Sequence, residues 1–245
     1  MYYKDEDINP ELTVFQMRKN EGIAQFSSKL YIDYLRFLKE HSNARIWDEL
    51  YKKDMENLPW LTNPYPEILF NSFSQLFKES EKVLDYGCGN GRYCKLLSQF
   101  GASVTNVDIS RRAIKLCKKE NPNSICLTSY TPEIFNNEDF HGIFCWGVLH
   151  HIPPLLRPSF LESFANSIKV GGFILLGGWS RLDSEHEVSL RISSITNNPT
   201  WDIDNNIQRI ALKLGLSIIH FESFPFIESI TNKKRMFSCY LLEKM

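Results

Sequence analysis

The chain has 245 residues, of which 43% are hydrophobic and 23% charged, with 28 Lys+Arg against 29 Asp+Glu and a formal net charge of -1. These proportions exclude fibrous and intrinsically disordered chains and leave enough apolar material for one large domain or a domain with a small appendage. Charge so near zero offers no global basic field for nucleic acid or an anionic membrane surface, although it leaves a local basic patch open.

Before residue 80 the patterns are helical. Phe26, Leu30, Tyr31, Tyr34, Leu35, Phe37 and Leu38 recur at spacings of three and four, and Ile46, Trp47, Leu50 and Tyr51 suggest a second helix. Residues 57–66 form a proline-rich loop containing Trp60, and a third helix carries Ile68, Leu69, Phe73, Leu76 and Phe77. From residue 81 short apolar strands alternate with helices. The strands are Val83–Tyr86, Ser103–Val107, Ser124–Leu127, Phe140–Trp146 and Phe173–Leu176. The helices are Arg92–Phe100, Arg111–Glu120 capped by Ser110, and one through Phe160, Leu161, Phe164 and Ile168. A stretch from Trp179 to Asn206, with a helix around Val188 to Ile195, is followed by a helix at Ile207–Leu214 and strands at Leu216–Phe221 and Met236–Leu242. Strand, helix, strand repeated in this way predicts parallel strands joined by crossover helices, hence an open, doubly wound α/β sheet. The expected organisation is a helical cap over residues 1–80 and a core over 81–245.

No apolar run reaches the roughly 18 residues that cross a bilayer, and Met1-Tyr2-Tyr3-Lys4-Asp5-Glu6-Asp7 is too polar and acidic for a secretory signal. A cytoplasmic protein with no membrane partner is expected. Its six cysteines, Cys88, Cys94, Cys117, Cys126, Cys145 and Cys239, form no C-x-x-C pair, so they read as reduced, buried thiols.

The chemical signal is Val83-Leu84-Asp85-Tyr86-Gly87-Cys88-Gly89-Asn90-Gly91-Arg92, a strand entering a glycine turn that opens a helix. In a doubly wound sheet this lies at the crevice outside the carboxyl ends of the strands. Asp108 ends the next strand 17 residues after Gly91, where a carboxylate accepts both hydroxyls of a ribose. The spacing is G-x-G-x-G, with Arg92 where a dinucleotide fingerprint has its third glycine. Asp85 lies at the entry to the turn, where it repels a pyrophosphate and attracts an ammonium. The pattern therefore favours S-adenosylmethionine over a nicotinamide dinucleotide.

The segments VLDYGCGNGRY, VTNVDIS, FCWGVLHHI and VGGFILL, in this order, resemble those of the class I S-adenosylmethionine-dependent methyltransferases. The resemblance implies a mostly parallel, seven-stranded Rossmann-like sheet whose last strand is antiparallel. It also implies that Asp85, Gly87 and Gly89 surround the methionine end of S-adenosyl-L-methionine, that Asp108 binds the ribose and that Ile109 packs on the adenine. Relatives often carry Asp after the third strand, where this chain reads Thr128-Ser129-Tyr130, so Ser129 and Tyr130 are the adenine-side candidates. Tyr51 and Trp60 resemble the aromatic elements that lead into the cofactor site in small-molecule methyltransferases.

Trp146 follows the fourth strand, where its π face could meet a sulfonium or simply pack in the core. His150 is the candidate general base, because an unperturbed imidazole titrates near neutrality. His151 matches a histidine that relatives use structurally. His150, His151, Asp183, Glu185, His186 and Glu187 are suitable ligand types without a recognised metal spacing, and adjacent histidines usually point apart, so no metal is expected. The expected activity is methyl transfer to a small-molecule acceptor, oxygen favoured, leaving S-adenosyl-L-homocysteine. The alternatives are an RNA or protein methyltransferase and a non-catalytic cofactor-binding subunit. Oligomeric state is not legible.

Overall fold

A computed structural model describes residues 44–52, 67–99, 101–129, 135, 140–152, 157–180, 207–227 and 234–245, all within the compact unit Asn43–Met245. The helices expected around residues 26–38 and 188–195, and the loop 57–66, lie outside these residues. Helix α1 spans 44–52 and α2 spans Glu67–Gln75. Then come β1 (Lys82–Tyr86), α3 (Arg92–Ser98), β2 (Ser103–Asp108), α4 (Arg111–Glu120), β3 (Ile125–Thr128) and β4 (Phe140–Trp146). A 3-10 turn at Leu149–His151 leads to α5 (Arg157–Ser167), β5 (Ile168–Trp179), α6 (Ile207–Lys213), β6 (Leu216–Ile227) and β7 (Lys234–Lys244).

The seven strands form one sheet in the order β3-β2-β1-β4-β5-β7-β6. β1 pairs in parallel with β2 on one side (Tyr86 opposite Val107) and with β4 on the other (Asp85 opposite Phe144). The chain thus reverses its direction of travel across the sheet between β1 and β4, which leaves a crevice at their carboxyl ends. β7 is antiparallel to both neighbours, with Gly177 opposite Cys239 and Phe224 opposite Phe237. The expected antiparallel last strand is present, inserted between β5 and β6.

Every residue of β1 after Lys82 is buried, as a central strand covered on both faces must be. On one face Leu84, Tyr86, Ile143, Ile174 and Leu176 pack beneath Phe160, Leu161 and Phe164 of α5 and Ile207 and Ile210 of α6. On the other, Val83, Val104, Phe144 and Leu175 pack against Phe70 and Phe73 of α2 and Leu97 of α3. Phe70 meets Phe144 edge-on at 5.3 Å. A wholly buried phenylalanine such as Phe73 contributes about 2–3 kcal/mol through removal of its ring from water.

Several boundaries differ from expectation, three of them with a clear physical cause. Ile168 opens β5 instead of closing α5, pairing with Phe140 before the register slips to Gly142 opposite Phe173. Gly171, with φ of 74°, lies within that irregularity. β6 continues past Phe221 to Ile227 through Pro225, which an edge strand tolerates because one side of its ladder needs no donor. β3 begins at Ile125, leaving Ser124 to close the turn after α4 through its N–H to Asn121 O at 3.1 Å. Among the described residues no helix is long and apolar enough to cross a membrane.

Candidate cofactor site

The glycine turn begins where β1 ends. The N–H groups of Gly87 and Cys88 both donate to Val107 O, at 2.7 and 2.9 Å, so the end of β2 fixes the path of the turn. Gly87 has φ of 78°, and a Cβ there would lie 2.0 Å from Val148 Cγ2. Only glycine meets both conditions. Gly91 caps α3, and Asn121 Nδ2 donates to its carbonyl at 3.2 Å, tying the turn to the end of α4.

Two carboxylates flank this turn. Asp85 is 1% exposed, and its Oδ2 has no hydrogen-bond partner among the described residues. Burial, then the Cys117 thiol, then Asp108 push its carboxyl well above the usual range. Asp108 accepts the Gly89 N–H on Oδ2 at 2.9 Å and the Ser110 N–H on Oδ1 at 2.8 Å. Burial raises Asp108 to about 6 although these two bonds pull it down, and the nearby Asp48 adds to the rise. Each carboxylate oxygen accepts about two hydrogen bonds, so Asp108 retains capacity for a diol. An unpartnered, buried acidic oxygen beside bare glycine backbone suits an ammonium, which would supply the missing counter-charge. The residues present therefore fit the methionine end and the ribose of S-adenosylmethionine. Ile109, half-buried, follows Asp108, and the buried Ser129 donates its N–H to Asp108 O at 3.1 Å. Tyr130 and Trp60 lie outside the described residues.

Helix α1 lies across this end of the sheet. Tyr51 is buried, its hydroxyl 2.6 Å from where a Cβ on Gly89 would stand. Trp47 meets His151 edge-on at 5.1 Å. Asp48 accepts from Ser110 Oγ at 2.6 Å and from Arg112 N–H at 3.1 Å. The sequence reading missed Asp48, whose signal was an acidic residue between two aromatics, Trp47 and Tyr51, that share a helix face.

The histidines correct an expectation. His150 is 3% exposed, and its Nδ1 faces the Trp179 N–H at 3.5 Å. Burial, then His151 and Arg157, hold it well below the ordinary imidazole range, so it is neutral and its accepting nitrogen already faces a donor. That environment lowers the proton affinity that a general base at this position would use. Burial carries His151 down to about 4. The two rings lie 4.1 Å apart instead of pointing away from each other. Trp146 is placed as a core residue. Its ring lies against Gly177, whose added Cβ would come within 2.0 Å, and it stacks with Phe144 at 6.1 Å and Phe224 at 6.2 Å.

Nor do the cysteines stand singly in space. Cys117 and Cys126 sulfurs are 3.5 Å apart beneath the turn, beside the buried Cys88. All six are free thiols.

A ubiquinone biosynthesis O-methyltransferase of Nitrosomonas europaea is 32% identical to this chain over 109 residues, 42% of the chain and 46% of that protein. Its namesake from Glaesserella parasuis is 31% identical over 112 residues, 41% and 46% respectively. The chain thus spans less than half the length of these relatives. Among solved structures, an S-adenosylmethionine-dependent methyltransferase of Anabaena variabilis superposes with a TM-score of 0.67 over 84% of this chain and 95% of that one, at 18% identity. One from Archaeoglobus fulgidus gives 0.59 over 73% and 94%, at 17% identity. A family model described as a methyltransferase domain matches residues 62–217. With that match over more than half the chain, on a seven-stranded sheet whose glycine turn is flanked by Asp85 and Asp108, the protein belongs to the class I S-adenosylmethionine-dependent methyltransferases.

Proposed function

We propose that the protein methylates an oxygen atom of a small-molecule acceptor. The observation that carries this reading is the buried Asp85, its Oδ2 without a partner among the described residues, flanking the glycine turn together with Asp108. The names of the O-methyltransferase relatives support oxygen as the acceptor atom. When bound, S-adenosylmethionine supplies an electrophilic methyl group on a sulfonium. Asp85 holds the ammonium, Gly87 and Gly89 admit the methionine chain against bare backbone, and Asp108 accepts from the ribose hydroxyls. Ile109 packs on the adenine, with Ser129 beside it. Helix α1 shields the cleft from water, which strengthens the electrostatic contacts inside.

Burial makes both described imidazoles at the cleft weak bases, His150 held well below its ordinary range and His151 at about 4. The acceptor this favours is an acidic hydroxyl that ionises on its own, since such an oxyanion needs no base and gains mainly from alignment. His150 and His151 then serve to shape the wall beside the fourth strand. The test is S-adenosylhomocysteine binding by calorimetry, followed by methyl transfer to matched panels of phenolic, alkyl-hydroxyl, amine and thiol compounds. Phenolic products are expected, and turnover confined to amines or thiols would overturn the oxygen assignment.

A further inference from the structure

Ser110 stands between two carboxylates. Its N–H donates to Asp108 Oδ1 at 2.8 Å, and its hydroxyl donates to Asp48 Oδ1 at 2.6 Å. The same hydroxyl oxygen accepts the Ala113 N–H at 3.1 Å, so Ser110 is also the cap of α4. Asp108 continues the chain of bonds to the Gly89 N–H at 2.9 Å, and Tyr51 of α1 returns to Gly89 from the other side. A closed loop of contacts therefore runs from α1 through Ser110 and Asp108 to the glycine turn and back to α1. Asp48 ties α1 to the strand end through Ser110, and it also takes the Arg112 N–H at 3.1 Å.

We propose that Asp48 is a positioning residue for the methyl donor, a latch that seats α1 over the cleft and sets the orientation and charge of Asp108 through Ser110. This inference rests on the reading of the cleft as the cofactor site. The two acids are coupled in sign as well as in place. Asp48 contributes to holding Asp108 at about 6, so it makes the ribose carboxylate easier to protonate while holding its hydrogen-bonding partner in place. Among the described residues, the other titratable groups facing Asp108 are Asp85 from β1, Cys88 from the turn and Cys117 from α4. A change at Asp48 leaves all three in place, so a difference between variants isolates the latch.

The test is S-adenosylhomocysteine affinity of the full chain from about pH 5 to about pH 8, for wild type, Asp48→Asn and Asp48→Ala. Ribose hydroxyls donate to the ionised form of Asp108, so wild-type affinity falls as pH drops through about 6. Asp48→Asn keeps an acceptor oxygen for Ser110 and loses the charge. Its acid limb is expected to move to lower pH, making it about threefold tighter than wild type at about pH 5 relative to about pH 8. Asp48→Ala loses the acceptor as well and is expected to bind about tenfold more weakly at about pH 8, where the Asn variant stays near wild type. Identical pH profiles for wild type and Asp48→Asn would overturn the proposal, as would wild-type affinity in Asp48→Ala. Asp48→Asn decides the matter even where the alanine variant does not fold. A wild-type chain that binds no S-adenosylhomocysteine at any pH sinks the cofactor reading instead, a different result from the other two.

Discussion

Asp108 is a carboxyl that the fold holds in a costly state. Its value of about 6, against an ordinary 3.8, means that ionising it in the folded protein costs about 3 kcal/mol more than in the unfolded chain. The raised value fixes the sign. Stability from this group is complete below the unfolded-state value and is lost as pH rises through about 6. His150 and His151 act oppositely, because their lowered values remove stability as pH falls below the ordinary imidazole range. The wild-type curve therefore mixes two slopes of opposite sign. Asp108→Asn removes one of them. The difference in unfolding free energy between variant and wild type should grow in the variant's favour by about 2 kcal/mol from about pH 4.5 to about pH 7.5. Urea unfolding at several pH values measures it, and the histidine contribution cancels in the subtraction. The same variant should bind S-adenosylhomocysteine at least tenfold more weakly, since an amide presents one acceptor oxygen where the carboxylate presents two. A pH-independent difference would refute the burial argument, and unchanged affinity would refute the ribose assignment.

Three further outcomes are expected. Gly87→Ala meets Val148 at 2.0 Å on a backbone with φ of 78°, so it should lose about 2 kcal/mol or more of stability by urea unfolding; wild-type stability would show that the turn yields freely. Asp85 is protonated more readily in the free protein than an ordinary aspartate, and a bound ammonium would lower it again. Binding should therefore release protons and tighten with rising pH, whereas Asp85→Asn should bind at least tenfold more weakly with no such release. Calorimetry in buffers of different ionisation heat reads both, and equal proton release in the two proteins would remove Asp85 from the site. His150→Ala should lower the melting temperature and the rate without changing the shape of the pH–rate profile; loss of a limb near neutrality would restore His150 as the base.

The sheet was legible because apolar runs and glycine punctuation are local signals, and β4 follows from them residue by residue and β1 and β2 to within one residue. The β5 start was not, because the pairing of Ile168 with Phe140 is a long-range contact that a helical apolar spacing conceals. The same division runs through the site. Asp85, Gly87, Gly89 and Asp108 are read from one strand-turn-helix pattern, and the structure brings them together. Asp48 escaped because its partners lie 62 and 64 residues away. His150 and Trp146 illustrate a related limit, since a residue type indicates what a group can do, while burial bears on whether it does so.

The placement of β7 between β5 and β6 has a consequence for how the chain reaches its final form. Among the described residues β6 pairs only with β7, so it is synthesised before its ladder partner, and its other contacts with the sheet are side-chain ones such as Phe224 on Trp146. Until Lys234–Lys244 arrives, the outer edge of β5 is an unfilled slot, with Ile174, Leu175 and Leu176 lacking the ladder partners that later meet them. The closing segment thus acts as a keystone. Premature release just before it would leave two sticky borders, prone to capture by other unfinished chains.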